Sequence, residues 1–225
     1  LQPIASAEAV LVRDEKELGV ALVDIGGGTT DIAIFREGAL LYTSVLPVGG
    51  VHLTNDISVG IRASLDQAEK IKIQHGCAMA SLVKDDETIE VPAVGEGKAR
   101  VVARKILAEI VEARVEEMFS MIQAEINKSS YADLLAAGIV LTGGTTLLQG
   151  MVELGDFLFE MPLKRGVPIR LGGLKEVVNS PKYSTAVGLL KYGADQLVRG
   201  SQPASLGASL MGEDGVFGKL GGSVK

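Results

Sequence analysis

The chain has 225 residues, 47% hydrophobic and 22% charged, which is ordinary for a globular protein long enough to bury a sizeable core. Its formal net charge of −6 argues against nucleic acid as a partner, because neutralising phosphates takes a basic surface. A single cysteine, Cys77, permits no internal disulfide and fits a reducing compartment, while His52 and His75 offer neither a metal cluster nor a triad. No run of about 18 apolar residues is present to cross a bilayer, and no signal peptide is recognisable. The chain opens on Leu1 rather than methionine, so a fragment is expected.

Residues 19–25 (GVALVDI) and 31–35 (DIAIF) are short apolar, β-branched runs, and a turn at Arg36-Glu37-Gly38 leads into ALLYTSVLPV. The pattern predicts three strands joined by two tight turns. Gly49-Gly50 ends this meander, and VHLTNDISVGI reads as a helix with Thr54 and Asn55 near its start. Ser64-Leu65-Asp66-Gln67 has capping-box form and opens a helix that stops at Gly76. Residues 77–97 alternate in character and read as short strands of a small polar subdomain. From Arg100 to Asn127, Leu107, Val111, Met118, Ile122 and Ile126 mark one face of a long amphipathic helix. GIVLTGGTTLLQG (138–150) reads as a strand, two glycines and a helix, and VPIRLGG (167–173) as a further strand. The segment from Thr185 is a final helix in which Ala186 and Gly188 permit close packing, and from Gly200 the composition turns to Gly and Ser, as in a flexible tail. Strands alternating with helices define an α/β class.

Two places in this pattern carry chemistry. Gly26-Gly27-Gly28 sits between two strand-like runs, where glycine costs stability and needs a reason. A glycine turn aims successive N–H groups inward and forms a nest for an anion, and Thr29 and Thr30 add hydroxyls. Asp24 and Asp31 flank the turn and would repel a bare phosphate, but suit one that carries magnesium held through water. About 115 residues later, Gly143-Gly144-Thr145 repeats the device at the start of a helix, whose dipole favours anions. Neither turn fits the Walker or the GxGxxG pattern. Two such turns suggest a nucleotide gripped from two sides.

The ordered set DIGGGTTD, AEKIK and GIVLTGGTT resembles the second half of the actin/Hsp70/sugar-kinase ATPase superfamily. Within it, the wording ASAEAVL, ELGVALVDIGGGTTDIAIF, LPVGGVHLTNDI, AEKIKIQHG and GIVLTGGTTLLQGM is similar to the FtsA family of bacterial cell-division proteins, over nearly all of residues 1–198. The resemblance implies an actin-like, ribonuclease H-like domain II with a smaller inserted α+β subdomain. Residues 1–54 and 134–198 would form the nucleotide-binding part, 55–133 the insertion, and 199–225 the tail. It further implies Asp24 to Asp31 as the second phosphate loop and Gly143, Gly144 and Thr145 as the adenosine loop. Glu69 and Lys72 then contact ribose and adenine, and Gln2 falls where a water-orienting residue stands.

The same resemblance implies ATP and Mg2+ as ligands, with slow hydrolysis and a nucleotide that acts mainly as a switch. It implies self-assembly into filaments, other divisome partners, and docking of the FtsZ C-terminal tail on residues 55–133, for which Arg114 is the expected contact. The family's membrane helix is not found after Lys225, so the natural protein is expected to continue, anchored at the cytoplasmic face of the membrane at the septum. A sugar-kinase-type phosphotransferase is the alternative, disfavoured because Gln2 stands where that chemistry needs an acidic base. A chaperone-type ATPase would need a peptide-binding domain where only the tail follows.

Overall fold

The computed structural model describes residues 2–93, 97–169 and 178–200, the last three by backbone alone. Residues 2–192 form one compact unit; of a second, only 193–200 are described, the final turns of a helix. In chain order come α1 (Gln2–Val10), α2 (Arg13–Leu18), β1 (Val20–Ile25), β2 (Thr30–Arg36), β3 (Ala39–Leu46), α3 (Gly50–Gly60) and α4 (Leu65–His75). Then follow β4 (Thr88–Val91), β5 (Arg100–Ala103), α5 (Arg104–Lys128), β6 (Ile139–Thr142), α6 (Met151–Phe159), β7 (Leu163–Arg165) and α7 (Ser184–Gly200). No described helix is long and apolar enough to cross a membrane.

The main sheet has the order β3-β2-β1-β6-β7. The β1–β2–β3 meander is antiparallel, whereas β6 joins β1, and β7 joins β6, in parallel. Central β1 is buried along its whole length, as expected for a strand covered on both faces. Alternate residues then sort by face. Ala21, Val23, Ile25, Ile32, Ile34, Ile139 and Leu141 pack with Leu53 and Ile57 of α3 and with the apolar stripe of α5. Val20, Leu22, Ala33, Phe35 and Val140 pack with Ala7, Ala9 and Val10 of α1 and with Val187 of α7. At the carboxyl ends of β1 and β6 the second face turns polar, with Asp24, Asp31 and Thr142. That end of a parallel pair is where open α/β sheets bind ligands.

Most expected elements form where the pattern put them. Ser64 caps α4, accepting from the Gln67 N–H at 3.4 Å, and the five predicted α5 positions are all buried. At Gly188 a Cβ would lie 1.7 Å from the Ala5 carbonyl oxygen, so α7 meets α1 backbone to backbone, as the small residues foretold.

Three readings need correction. Residues 100–103 are not helix but β5, an edge strand paired with β4; Val101 and Val102 favour this pairing and α5 begins only at Arg104. The helix expected directly after the two glycines and two threonines starts later: Gly144–Leu147 is a single 3-10 turn, and α6 waits until Met151. The strand expected at 167–173 lies earlier, at Leu163–Arg165. Gly166 adds one last sheet bond, N–H to Leu141 O at 2.7 Å, but Pro168 has no N–H and that of Ile169 goes to Ala9 O at 2.8 Å. Residues 170–173 and the Gly/Ser tail from 201 lie outside the described residues. Helix α2, which was not anticipated, is bracketed by short-range contacts such as Val12 N–H to Glu15 Oε2 at 2.8 Å.

Candidate functional site

The turn Gly26–Thr29 links β1 to β2 and is closed by the Gly26 N–H donating to Thr29 O at 2.9 Å. It is braced from behind. The first N–H groups of α3 donate into it, Gly50 to Gly26 O at 3.0 Å and Val51 to Gly27 O at 2.7 Å. The Thr145 hydroxyl, from the second glycine turn, also donates to Gly26 O, at 2.8 Å. A Cβ on Gly49 would sit 2.7 Å from that same carbonyl oxygen, so glycine there is a packing requirement. In front the situation reverses. Cβ atoms on Gly27 and Gly28 would meet no atom within 4 Å, and neither residue has the positive φ that would demand glycine. Their N–H groups are also unbonded among the described residues. The chain itself therefore gives no reason for glycine at these two positions.

Asp24 and Asp31 face each other across the β1–β2 ladder beside this turn. Asp24 is buried, and its Oδ2 accepts from Ser6 Oγ of α1 at 2.6 Å and from Thr185 Oγ1 of α7 at 3.2 Å. Burial pushes its carboxyl above the usual carboxylate range; the two hydroxyls pull back and the Asp31 charge adds to the rise. Burial likewise raises Asp31, against a 3.4 Å hydrogen bond from the Thr29 hydroxyl. Gly143, at φ 92, lies against the same carboxylate: a Cβ there would be 2.4 Å from Asp24 Oδ1 and from Ile25 O.

A cleft of about 670 Å³ opens before the turn, walled by Gly27, Gly50 and Val51, by Glu69, Lys72, Ile73 and Gly76 of α4 and its end, and by Gly144, Thr145, Leu147 and Leu148. Ile73 and Leu147 are exposed apolar side chains, the kind of surface a flat ring covers. The Glu69 carboxylate takes hydrogen bonds from Lys72 Nζ at 2.7 Å and from the Thr54 hydroxyl. Its burial favours protonation, but the hydrogen bonds from Lys72 and Thr54 and the Lys72 charge outweigh this, so its pKa falls below the usual glutamate value. Arg104 closes the far end, donating to His75 O at 2.9 Å, Glu87 Oε2 at 2.6 Å and Gln149 Oε1 at 2.9 Å.

Of the expected residues, Gly27, Glu69, Lys72, Gly144 and Thr145 line this cleft; Gly26, Gly28 and Thr29 belong to the same turn as Gly27, Gly143 precedes Gly144, and Asp24 and Asp31 pair beside the turn. Thr30 departs from expectation: its side chain is buried and its hydroxyl donates to Val48 O at 2.8 Å, bracing the strand. Gln2 is exposed on α1, one turn before Ser6, the residue that reaches Asp24. Arg114 does not line this cleft and is held by Asp56 of α3, with Nη2 to Oδ1 at 3.0 Å, and by Glu117. Sequence reading missed Ser6, Thr54, Thr185 and Arg104, because single hydroxyls and one arginine leave no spacing signature. Among the described residues no group of three or more His, Cys, Asp or Glu could hold a metal directly.

A mixed sheet wrapped by helices, with two glycine turns meeting at the carboxyl ends of β1 and β6, is the actin-like ATPase fold. Solved structures agree: MreB5 of Spiroplasma citri bound to ADP superposes with a TM-score of 0.69 at 19% identity, over 90% of this chain and 61% of that one. The MamK double helical filament gives 0.61 at 16% identity, over 86% and 58%. Residues 21–188 match the family described as cell division protein FtsA. FtsA of Pseudomonas aeruginosa is 50% identical over 214 residues, 95% of this chain and 51% of that protein, and FtsA of Escherichia coli K12 is 42% identical over 204 residues, 88% and 49%. The chain belongs to the FtsA family of cell-division proteins, and spans about half the length of the curated relatives it matches.

Proposed function

We propose that this chain carries the nucleotide-binding part of an actin-like division protein that binds ATP with Mg2+ and self-assembles. In the cell it would link FtsZ filaments to the cytoplasmic membrane at the septum. The observation that supports the ligand most directly is the front of the glycine turn. Side chains are excluded from Gly27 and Gly28 by nothing in the chain, and the N–H groups of both are unbonded among the described residues. A phosphate that must approach the backbone to hydrogen-bonding distance supplies the missing reason. Structures of MreB5 bound to ADP and to AMPPNP are consistent with a nucleotide in this fold, and the MamK filament with self-assembly.

Magnesium fits the donor set. Asp24 and Asp31 are two buried carboxylates side by side, each with its pKa raised by burial, and an oxygen-preferring cation relieves that cost. Because Asp24 Oδ2 is engaged by Ser6 and Thr185, the pair would hold the ion through water. When bound, the ion neutralises phosphate charge. Glu69 would accept from ribose hydroxyls, and Gly143, Gly144 and Thr145 would flank the nucleoside. Nucleotide exchange then serves as a conformational switch, with little hydrolysis.

Residues 1–54 and 134–198 would act as the nucleotide part and 55–133 as the surface for the FtsZ tail and for self-assembly, with Arg114 at that surface. A direct test titrates Mg-ATP and a labelled FtsZ C-terminal peptide into the chain. The proposal expects micromolar peptide binding and a melting temperature that rises with ATP. Absence of peptide binding, together with phosphate transfer from ATP to a small hydroxylated compound, would replace it with the sugar-kinase reading.

A further inference from the structure

Arg104 lines the cleft but has no part in the chemistry described so far. It is the first residue of α5, and its side chain is 18% exposed. A guanidinium is planar and carries five N–H donors in fixed directions. Here it serves three separate segments of the chain. Nε donates to His75 O at 2.9 Å, Nη1 to Glu87 Oε2 at 2.6 Å, and Nη2 to Gln149 Oε1 at 2.9 Å. His75 is the last residue of α4, so its carbonyl is one that the helix leaves without an internal partner. Gln149 belongs to the other wall, next to Leu147 and Leu148, and its own carbonyl accepts from the Ala78 N–H at 2.7 Å. The wall that carries Ile73 and Gln74 is thereby fastened to the wall that carries Leu147 and Leu148, while Glu87, which does not line the cleft, steadies the guanidinium. The walls have no slack where they meet, since a Cβ on Gly76 would be 2.7 Å from Leu148 Cδ2.

We propose that Arg104 is the positioning residue of the base end: it sets the spacing of the two apolar walls between which the nucleobase lies, and so governs affinity for the nucleoside and not for the phosphates. The inference rests on the reading of this cleft as a nucleotide site. A flat ring is held by close contact over its faces, and a gap of under about 1 Å already forfeits much of that attraction. Walls fixed in advance also spare the ligand the cost of ordering them. Lysine would keep the charge, but a single ammonium on a flexible stem cannot hold three segments in one plane. The phosphate end is braced independently, by the Gly50 and Val51 N–H groups and the Thr145 hydroxyl on the Gly26–Thr29 turn.

The test compares ATP with inorganic tripolyphosphate, each with Mg2+, by titration calorimetry on the wild-type chain, Arg104→Lys and Glu87→Ala, with melting temperatures taken to confirm that each variant is folded. The expected loss of ATP affinity is about tenfold for Arg104→Lys and about threefold for Glu87→Ala, with tripolyphosphate binding unchanged in both. Glu87 separates spacing from contact, because it reaches the cleft only through Arg104. If Glu87→Ala binds ATP as the wild type does while Arg104→Lys does not, Arg104 acts by touching the base and the positioning role is overturned. ATP binding at wild-type strength in Arg104→Lys overturns it as well, and so do equal losses for ATP and tripolyphosphate in a folded variant, which would mark a general loosening. A wild-type chain that binds ATP but not tripolyphosphate leaves the two ATP affinities to decide. If the wild-type chain binds no ATP, the nucleotide reading itself fails and takes this role with it, an outcome visible before any variant is made.

Discussion

An added methyl at Gly27 or Gly28 would enter open space, and neither residue has a backbone conformation closed to alanine. Alanine at a compatible position usually stabilises by about 0.4–1 kcal/mol, through the unfolded chain. Gly28→Ala is therefore expected to leave the melting temperature equal or slightly higher while lowering ATP affinity at least tenfold. A variant that binds ATP as well as the wild type would remove the phosphate from this turn. Glu69 gives a pH-dependent counterpart. Its carboxyl sits below the usual 4.5, so the unfolded chain takes up the proton first as pH falls. The stability it contributes is full above 4.5 and is lost as pH drops through the lowered native value. Glu69→Gln should melt lower at pH 7, by less than about 1 kcal/mol for so partly exposed a pair, and match the wild type in acid. What the sequence could show at this scale was the glycine chemistry, because three glycines in a row between strands violate propensity. It could not show Ser6 or Thr185, which reach Asp24 from helices 18 residues before it and 161 after it.

Between elements, the decisive contacts are those where one backbone crosses another. Helix α7 approaches α1 so closely at Gly188 that a Cβ would fall 1.7 Å from Ala5 O. Gly188→Ala must push the helices apart, and with them the Ser6 and Thr185 hydroxyls that hold Asp24. A loss of about 3 kcal/mol in chemical denaturation is expected, at the upper end for overpacking. Arg114 joins α3 to α5 through Asp56. Arg114→Ala should cost about 1 kcal/mol, and Asp56→Ala should cost nearly as much. If only the first also weakens the FtsZ peptide, Arg114 has a role at the partner surface beyond its bridge. Element positions were legible wherever periodicity was strong, as in the meander, α4 and α5. They were misjudged where a neighbour supplies the deciding bond. Arg100–Ala103 continues the apolar rhythm of α5 but pairs with β4, and Ile169 leaves the sheet because α1 offers Ala9 O.

At the scale of the whole sheet, the centre is shielded and the glycine turn is not. Residues 20–23 of β1 are fully buried, with β2 and β6 hydrogen-bonded on either side, whereas Gly27, Gly28 and Thr29 are exposed a few residues further on. This gradient along one short stretch of chain has a spectroscopic consequence. Amide protons of Leu22 and Val23 meet deuterium only when the entire fold opens, so their exchange rate reads global stability. The Gly27 and Gly28 amides exchange from the native state and slow only when something sits on them. A single labelled peptide covering residues 20–30 therefore contains both clocks: one for whether the molecule is folded, and one for whether its site is occupied.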